Sequence, residues 1–160
     1  ENVRLAVLER QSVVYLHDFE SPQNLCLRSA TGQLKPAFCT AEGLCLLAGL
    51  RTAELDEFMT YPRKEREPNT LTTEADLRQA VRLVKRRGYA FEDEFCDAGT
   101  RCVAAPIYNA QGRLVAALGV AGPRLRIKKN AVPRLAPVVI EAAGEISQRM
   151  GYVRRQPIYV

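Results

Sequence analysis

The 160 residues carry a formal net charge of +5 and are 47% hydrophobic and 26% charged, a composition that fits one domain whose core buries roughly two-thirds of the unfolded surface. No apolar run is long enough to span a bilayer and nothing reads as a secretory leader. Five cysteines without a Cys-x-x-Cys pair point to a reducing cytoplasm and not to a disulfide framework.

In chain order, the pattern predicts strands over 3–9, 12–18 and 24–29, with turn material such as Ser21-Pro22-Gln23-Asn24 between them. Thr40 reads as the N-cap of a helix over 41–50 that ends at or just after Gly49, and a short helix over 53–60 follows Thr52. The stretch 61–72, with two prolines and several charges, reads as a loop. Thr73 with Asp76 resembles a capping box, opening a helix with Leu77, Val81 and Val84 at helical spacing and Gly88 as its stop. Arg78, Arg82, Lys85, Arg86 and Arg87 fall on its outer side. The basic residues as a whole are spread along the chain, without base-reading signatures or zinc-finger spacing, which argues against direct nucleic-acid contact by this chain.

Strands return at 89–93, 101–108 and 113–121, and a last helix over about 132–150 carries Leu135, Val139, Ala142 and Ile146 on one face before Gly151. The tail 152–160 has no clear period and stands apart from the domain at 1–151 as a disordered segment or an oligomer contact. Hairpins alternating with helices, without repeated strand-helix-strand units, give an α+β class.

The most informative stretch runs from Gly99 to Pro123. Two apolar runs flank Asn109-Ala110-Gln111-Gly112, the pattern of a β-hairpin. Val103, Ala105 and Ile107 alternate with Cys102 and Ala104. Leu114, Ala116, Leu118 and Val120 alternate with Val115, Ala117, Gly119 and Ala121. Both faces are apolar, so the hairpin is central and covered on both sides. One face holds only small side chains, leaving room for a packed neighbour or a ligand, and Gly119 permits close backbone approach.

Thr40-Ala41-Glu42-Gly43 opens a helix whose first-turn N–H groups and dipole suit an anion, although an ordinary capped helix has the same pattern. Cys102 reads as a small buried hydrophobe lining a wall; Arg101 points to the other face, so thiolate activation is unsupported. Glu92, Asp93 and Glu94 could serve acid–base or metal chemistry, but no base or nucleophile accompanies them and no catalysis is read. His17, the single histidine, is a packed or surface residue. With Cys39, Cys45 and Cys96 it lacks the paired spacing of a zinc site.

Gly-x-x-Cys-x-Ala-Ala-Pro at 99–106, the x-Gly-Arg-x-x-Ala-Ala of 111–117 and the closing Gly122-Pro123 resemble the effector-binding domain of IclR-family transcriptional regulators. The likeness spans about 150 residues. Val3–Leu8 and Val13–Ser21 resemble the family's opening hairpin and Pro36–Leu47 its first pocket helix. Pro68-Asn69-Thr70, Arg87-Gly88-Tyr89-Ala90 and Glu92-Asp93-Glu94 follow as spacers in order.

The resemblance implies a GAF-like fold, a curved and mainly antiparallel sheet flanked by helices. It implies a non-enzymatic domain that binds a small-molecule metabolite, assembles as a homodimer or homotetramer, and uses no cofactor, metal or membrane. Operator DNA would be met only through an N-terminal winged helix-turn-helix domain, expected to be missing because Glu1 already lies in a predicted strand. The pocket implied is Leu27, Thr40, Ala41, Glu42, Glu92, Thr100, Cys102, Gly119 and Ala121, with Glu94 bracing the loop to Gly99. Three positions depart from the family: Phe38 replaces its usual His, Glu42 a small or aliphatic residue, and Leu44 a common Lys. Gly119 and Ala121 offer no hydroxyl where members binding small hydroxy or keto acids often have serine. The expected effector is an organic acid, an aromatic or a lactone-like molecule. The alternative is a cysteine-based redox or zinc sensor on the same scaffold.

Overall fold

Alternating apolar residues draw six strands into one curled antiparallel sheet, seen in a computed structural model that describes residues 1–153. The strands are β1 (Asn2–Glu9), β2 (Ser12–Phe19), β3 (Leu34–Pro36), β4 (Ala90–Asp93), β5 (Thr100–Tyr108) and β6 (Leu114–Pro123), in the order β3-β2-β1-β6-β5-β4. Four helices accompany them: α1 (Ala41–Ala48), α2 (Thr52–Thr60), α3 (Glu74–Arg87) and α4 (Val132–Arg149). Among the described residues no helix is long and apolar enough to cross a membrane.

The central hairpin β5–β6 is covered on both faces, as its alternation requires. Cys102, Ala104, Ala117 and Ala121 join a core with Leu44 and Leu47 of α1 and Leu77, Val81 and Val84 of α3. Val103, Ala105, Ile107, Ala116 and Leu118 pack under α4 against Val132, Ala136, Val139 and Ala143. Gly43 lets the turn before α1 fold tightly against the helix: a Cβ on Gly43 would lie 2.1 Å from the Ala37 carbonyl oxygen. Thr40 caps α1, its Oγ1 accepting from the Gly43 N–H at 3.1 Å. Thr73 caps α3 through the Asp76 N–H, and Gly88 ends that helix in the left-handed region with φ +79°.

Three expectations are corrected. Residues 24–29 form no strand; side chains hold this segment, with Asp18 accepting from the Ala30 N–H and Glu20 from that of Ser29. The outer strand is Leu34–Pro36 instead. In β6 the strict alternation fails at its start, because Ile107 pairs with Ala116 and Tyr108 with Leu114. Val115 is the extra residue of this bulge, so Leu114 joins the α1 side and Val115 the α4 side. On α4 the fully buried line is Val132, Ala136, Val139 and Ala143, while Leu135, Ala142 and Ile146 flank it half-buried. Ser147 completes that line as a polar member: its Oγ accepts from the Tyr108 N–H and donates to the Ala143 carbonyl. Of the tail, Tyr152 stacks on Tyr108 with ring centroids 5.0 Å apart, and 154–160 lie outside the described residues.

Candidate functional site

The α1 side of the sheet does not close completely. Between β1, β2, the start of α1 and the turn after β4 lies a cavity of about 310 Å³. Seven residues expected at the site line it: Leu27, Thr40, Glu42, Glu92, Thr100, Cys102 and Ala121. Ala41 does not line it; its side chain is fully buried in the core beneath α1. Gly119 does not line it either. A Cβ there would meet Glu42 Oε1 at 2.2 Å and Cys102 Sγ at 3.1 Å. The space that glycine opens holds the Glu42 carboxyl.

Glu42 is 1% exposed. Its Oε1 accepts from the Cys102 thiol at 3.3 Å and its Oε2 from the Tyr15 hydroxyl at 3.5 Å, both long contacts for a carboxylate. Glu92 Oε1 accepts from the Phe95 N–H at 2.7 Å. Burial pushes the Glu92 carboxyl up to about 8, with the Glu42 charge adding and the Phe95 N–H opposing. At neutral pH Glu92 therefore keeps its proton and is a hydrogen-bond donor. Burial, then Glu42 and Glu92, also raise the Cys102 thiol well above its usual range, so it stays a thiol and is no nucleophile.

Sequence reading missed the basic wall. Arg4 and Asn2 lie on the face of β1 opposite Val3, Leu5 and Val7, an alternation that normally marks a solvent face. Here both are buried around Asp18, which accepts from Asn2 Nδ2 at 3.0 Å, Arg4 Nε at 3.0 Å and the Ala30 N–H at 2.9 Å. The guanidinium sits 5.4 Å from the Tyr15 ring centroid. Burial works against the Arg4 charge, but Glu42, Cys102, Tyr15 and Asp18 outweigh it and its pKa is raised. At the rim, Lys35 pairs with Asp97. Glu94 Oε2 accepts from the Gly99 N–H at 2.8 Å and Oε1 from Arg124 at 3.1 Å, bracing the turn before β5.

A larger cavity of about 650 Å³ lies between Leu50, Lys85, Tyr108 and Leu114, but none of its charged residues is buried. Convergent buried polar groups distinguish the smaller one. Among the described residues, no group of three or more His, Cys, Asp or Glu side chains is placed to hold a metal ion. His17 is exposed on β2 beside Phe19.

A family model described as bacterial transcriptional regulator IclR C-terminal matches residues 1–148. The chain belongs to the IclR family of bacterial transcriptional regulators. Among IclR relatives, the HTH-type transcriptional regulator KdgR of Escherichia coli is 30% identical over 153 residues, covering 95% of this chain and 58% of that protein. BhcR of Paracoccus denitrificans is 32% identical over 148 residues, covering 92% of this chain and 53% of that one. The Thermotoga maritima IclR crystal structure gives a TM-score of 0.89 at 29% identity, over 95% of this chain and 62% of the other. The chain thus spans little more than half of these curated relatives, which are regulators and not enzymes. In this IclR domain Phe38 and Leu44 are core residues, whereas Glu42 lines the cavity.

Proposed function

We propose that this IclR domain binds a small-molecule effector in the 310 Å³ cavity and biases the arrangement of DNA-binding modules attached to it. The carrying observation is the buried polar set of Glu42, Glu92, Arg4 and Thr40, with half-buried Thr100, around a partly open cavity. Such a set orients a ligand. Operator DNA is contacted through an N-terminal winged helix-turn-helix domain of the longer protein, and the protein works in the cytoplasm. The effector acts by population shift, through unequal affinity for two arrangements.

Among organic acids, aromatics and lactone-like molecules, the cavity favours a neutral ligand bearing both hydroxyl and carbonyl groups. Glu42 accepts from the hydroxyl and protonated Glu92 donates to the carbonyl. A thermal-shift series of small carboxylates, aromatic acids, lactones and sugars tests this, since a ligand of the folded state raises Tm by mass action. A dose-dependent rise with hydroxylated lactones or sugars supports the reading. A rise with small acids alone overturns the ligand class, and an unmoved Tm across the series overturns the cavity.

Self-association as a homodimer or homotetramer uses the exposed apolar residues Leu16 (50% exposed), Phe19 (65%) and Leu34 (63%) on neighbouring strands β2 and β3. Phe19→Glu should shift the mass in light scattering to monomer; an unchanged oligomer would refute that surface.

A further inference from the structure

Cys39 and Cys96 come from segments distant in sequence and meet with their sulfurs 2.7 Å apart. Cys39 precedes the Thr40 cap of α1; Cys96 sits in the turn between β4 and β5 and lines the cavity. Both are buried, and the cavity is the opening that reaches Cys96. The turn is held in place around them: Arg66 Nε donates to the Cys96 carbonyl, Thr70 Oγ1 to the Phe95 carbonyl, and Asp97 pairs with Lys35. Lys35–Asp97 and Cys39–Cys96 are parallel fasteners between the same two segments, and the second is made of two thiols.

We propose that Cys39 and Cys96 form a reversible disulfide when a small hydroperoxide enters the cavity, converting this fastener from a contact into a bond. The two sulfurs are not equivalent. The Cys39 thiol donates to Cys96 and lowers its pKa, helped by Arg66 and Lys35, while the same hydrogen bond and burial raise Cys39. Burial raises both Cys45 and Cys102, so Cys96 is the reactive thiol among the buried four. Its thiolate attacks the outer peroxide oxygen; the S–O bond forms, the O–O bond breaks, and the alkoxide leaves as an alcohol after taking a proton. Cys39 then attacks the sulfenic sulfur of Cys96, the S–S bond forms, and the hydroxyl leaves as water with the Cys39 proton. Two thiols are oxidised by two electrons and one hydroperoxide is reduced.

The bond would tie the turn at 94–99 to the start of α1 across the cavity rim. Any effect on a ligand rests on the proposed effector site, but the disulfide itself does not. The test treats the Cys26→Ser protein, which lacks the one exposed thiol, with tert-butyl hydroperoxide and reads intact mass and peptide map without reductant. The expected result is loss of two hydrogens, a Cys39–Cys96 cross-linked peptide, a higher Tm and reversal of all three by dithiothreitol. Cys39→Ser should instead leave Cys96 as a sulfenic acid captured by dimedone, and Cys96→Ser should give neither product. Alkylation of both thiols after peroxide, or oxidation falling equally on Cys45 or Cys102, would overturn the proposal. Neither outcome depends on the ligand series, so failure here is distinguishable from failure of the effector site.

Discussion

Replacing Glu92 by Gln isolates the electrostatic state of the cavity. Glu92 Oε1 accepts from the Phe95 N–H, and the amide oxygen of Gln preserves that bond while removing the ionisation. Burial moves the carboxyl from 4.5 to about 8 in the folded protein. Between those two values the unfolded chain has lost the proton and the folded chain still holds it. The folded state is thus fully stabilised below about pH 4.5 and loses stability as pH rises, until about pH 8. That displacement corresponds to roughly 5 kcal/mol as an upper bound, of the same order as the effective penalty of a buried carboxylate. Urea unfolding of both proteins across this pH range reads the difference directly, because every other group titrates in both. The two stabilities should converge near pH 4.5, and Glu92→Gln should lead by several kcal/mol above about pH 8. Parallel curves would refute the burial argument and with it the donor role given to Glu92.

Asp18→Ala removes the acceptor shared by Asn2, Arg4 and the Ala30 N–H and leaves a buried guanidinium unpaired, which should cost about 3–5 kcal/mol in urea unfolding. Gly119→Ala places a Cβ 2.2 Å from Glu42 Oε1 and should destabilise by about 1–3 kcal/mol. Adding Glu42→Ala removes the obstacle, so the double variant should be more stable than the sum of the singles. Strict additivity would place Glu42 elsewhere. Thr40→Ala deletes the α1 cap and should cost about 1 kcal/mol, measured as a lower urea midpoint at unchanged slope.

Much of the fold was legible because the strong signals were local. The alternation of 102–107 and 116–121, the caps at Thr40 and Thr73 and the stop at Gly88 each specify backbone geometry within a few residues. What failed depended on distant partners. Residues 24–29 have strand-like composition, yet Glu20 takes the Ser29 amide and Asp18 that of Ala30 just beyond. The Val115 bulge is fixed by how β6 registers on β5, not by its own residues. Gly119 read as room for a ligand because nothing in its neighbourhood of sequence announces that Glu42 will occupy that room. Arg4 was invisible for the opposite reason: a charged residue at alternate strand positions signals solvent unless its partner Asp18 is known to be opposite. Cys39 and Cys96 lacked paired spacing, and only the fold brings them together.

The seam between β1 and β6 joins Asn2–Ala6 to Ala117–Ala121, and it is the one ladder linking the β1–β3 half of the sheet to the β4–β6 half. Such a join, between strands far apart in sequence, is slow to close because the intervening chain must be gathered first. Until then each half presents an unpaired inner edge, the hazard that favours premature association. The cavity draws Arg4 and Tyr15 from one half and Glu92, Cys102 and Ala121 from the other. A molecule seated there bridges the seam: it cannot be held before closure, and once held it slows reopening, so occupancy would be read as slower amide exchange along β1 and β6.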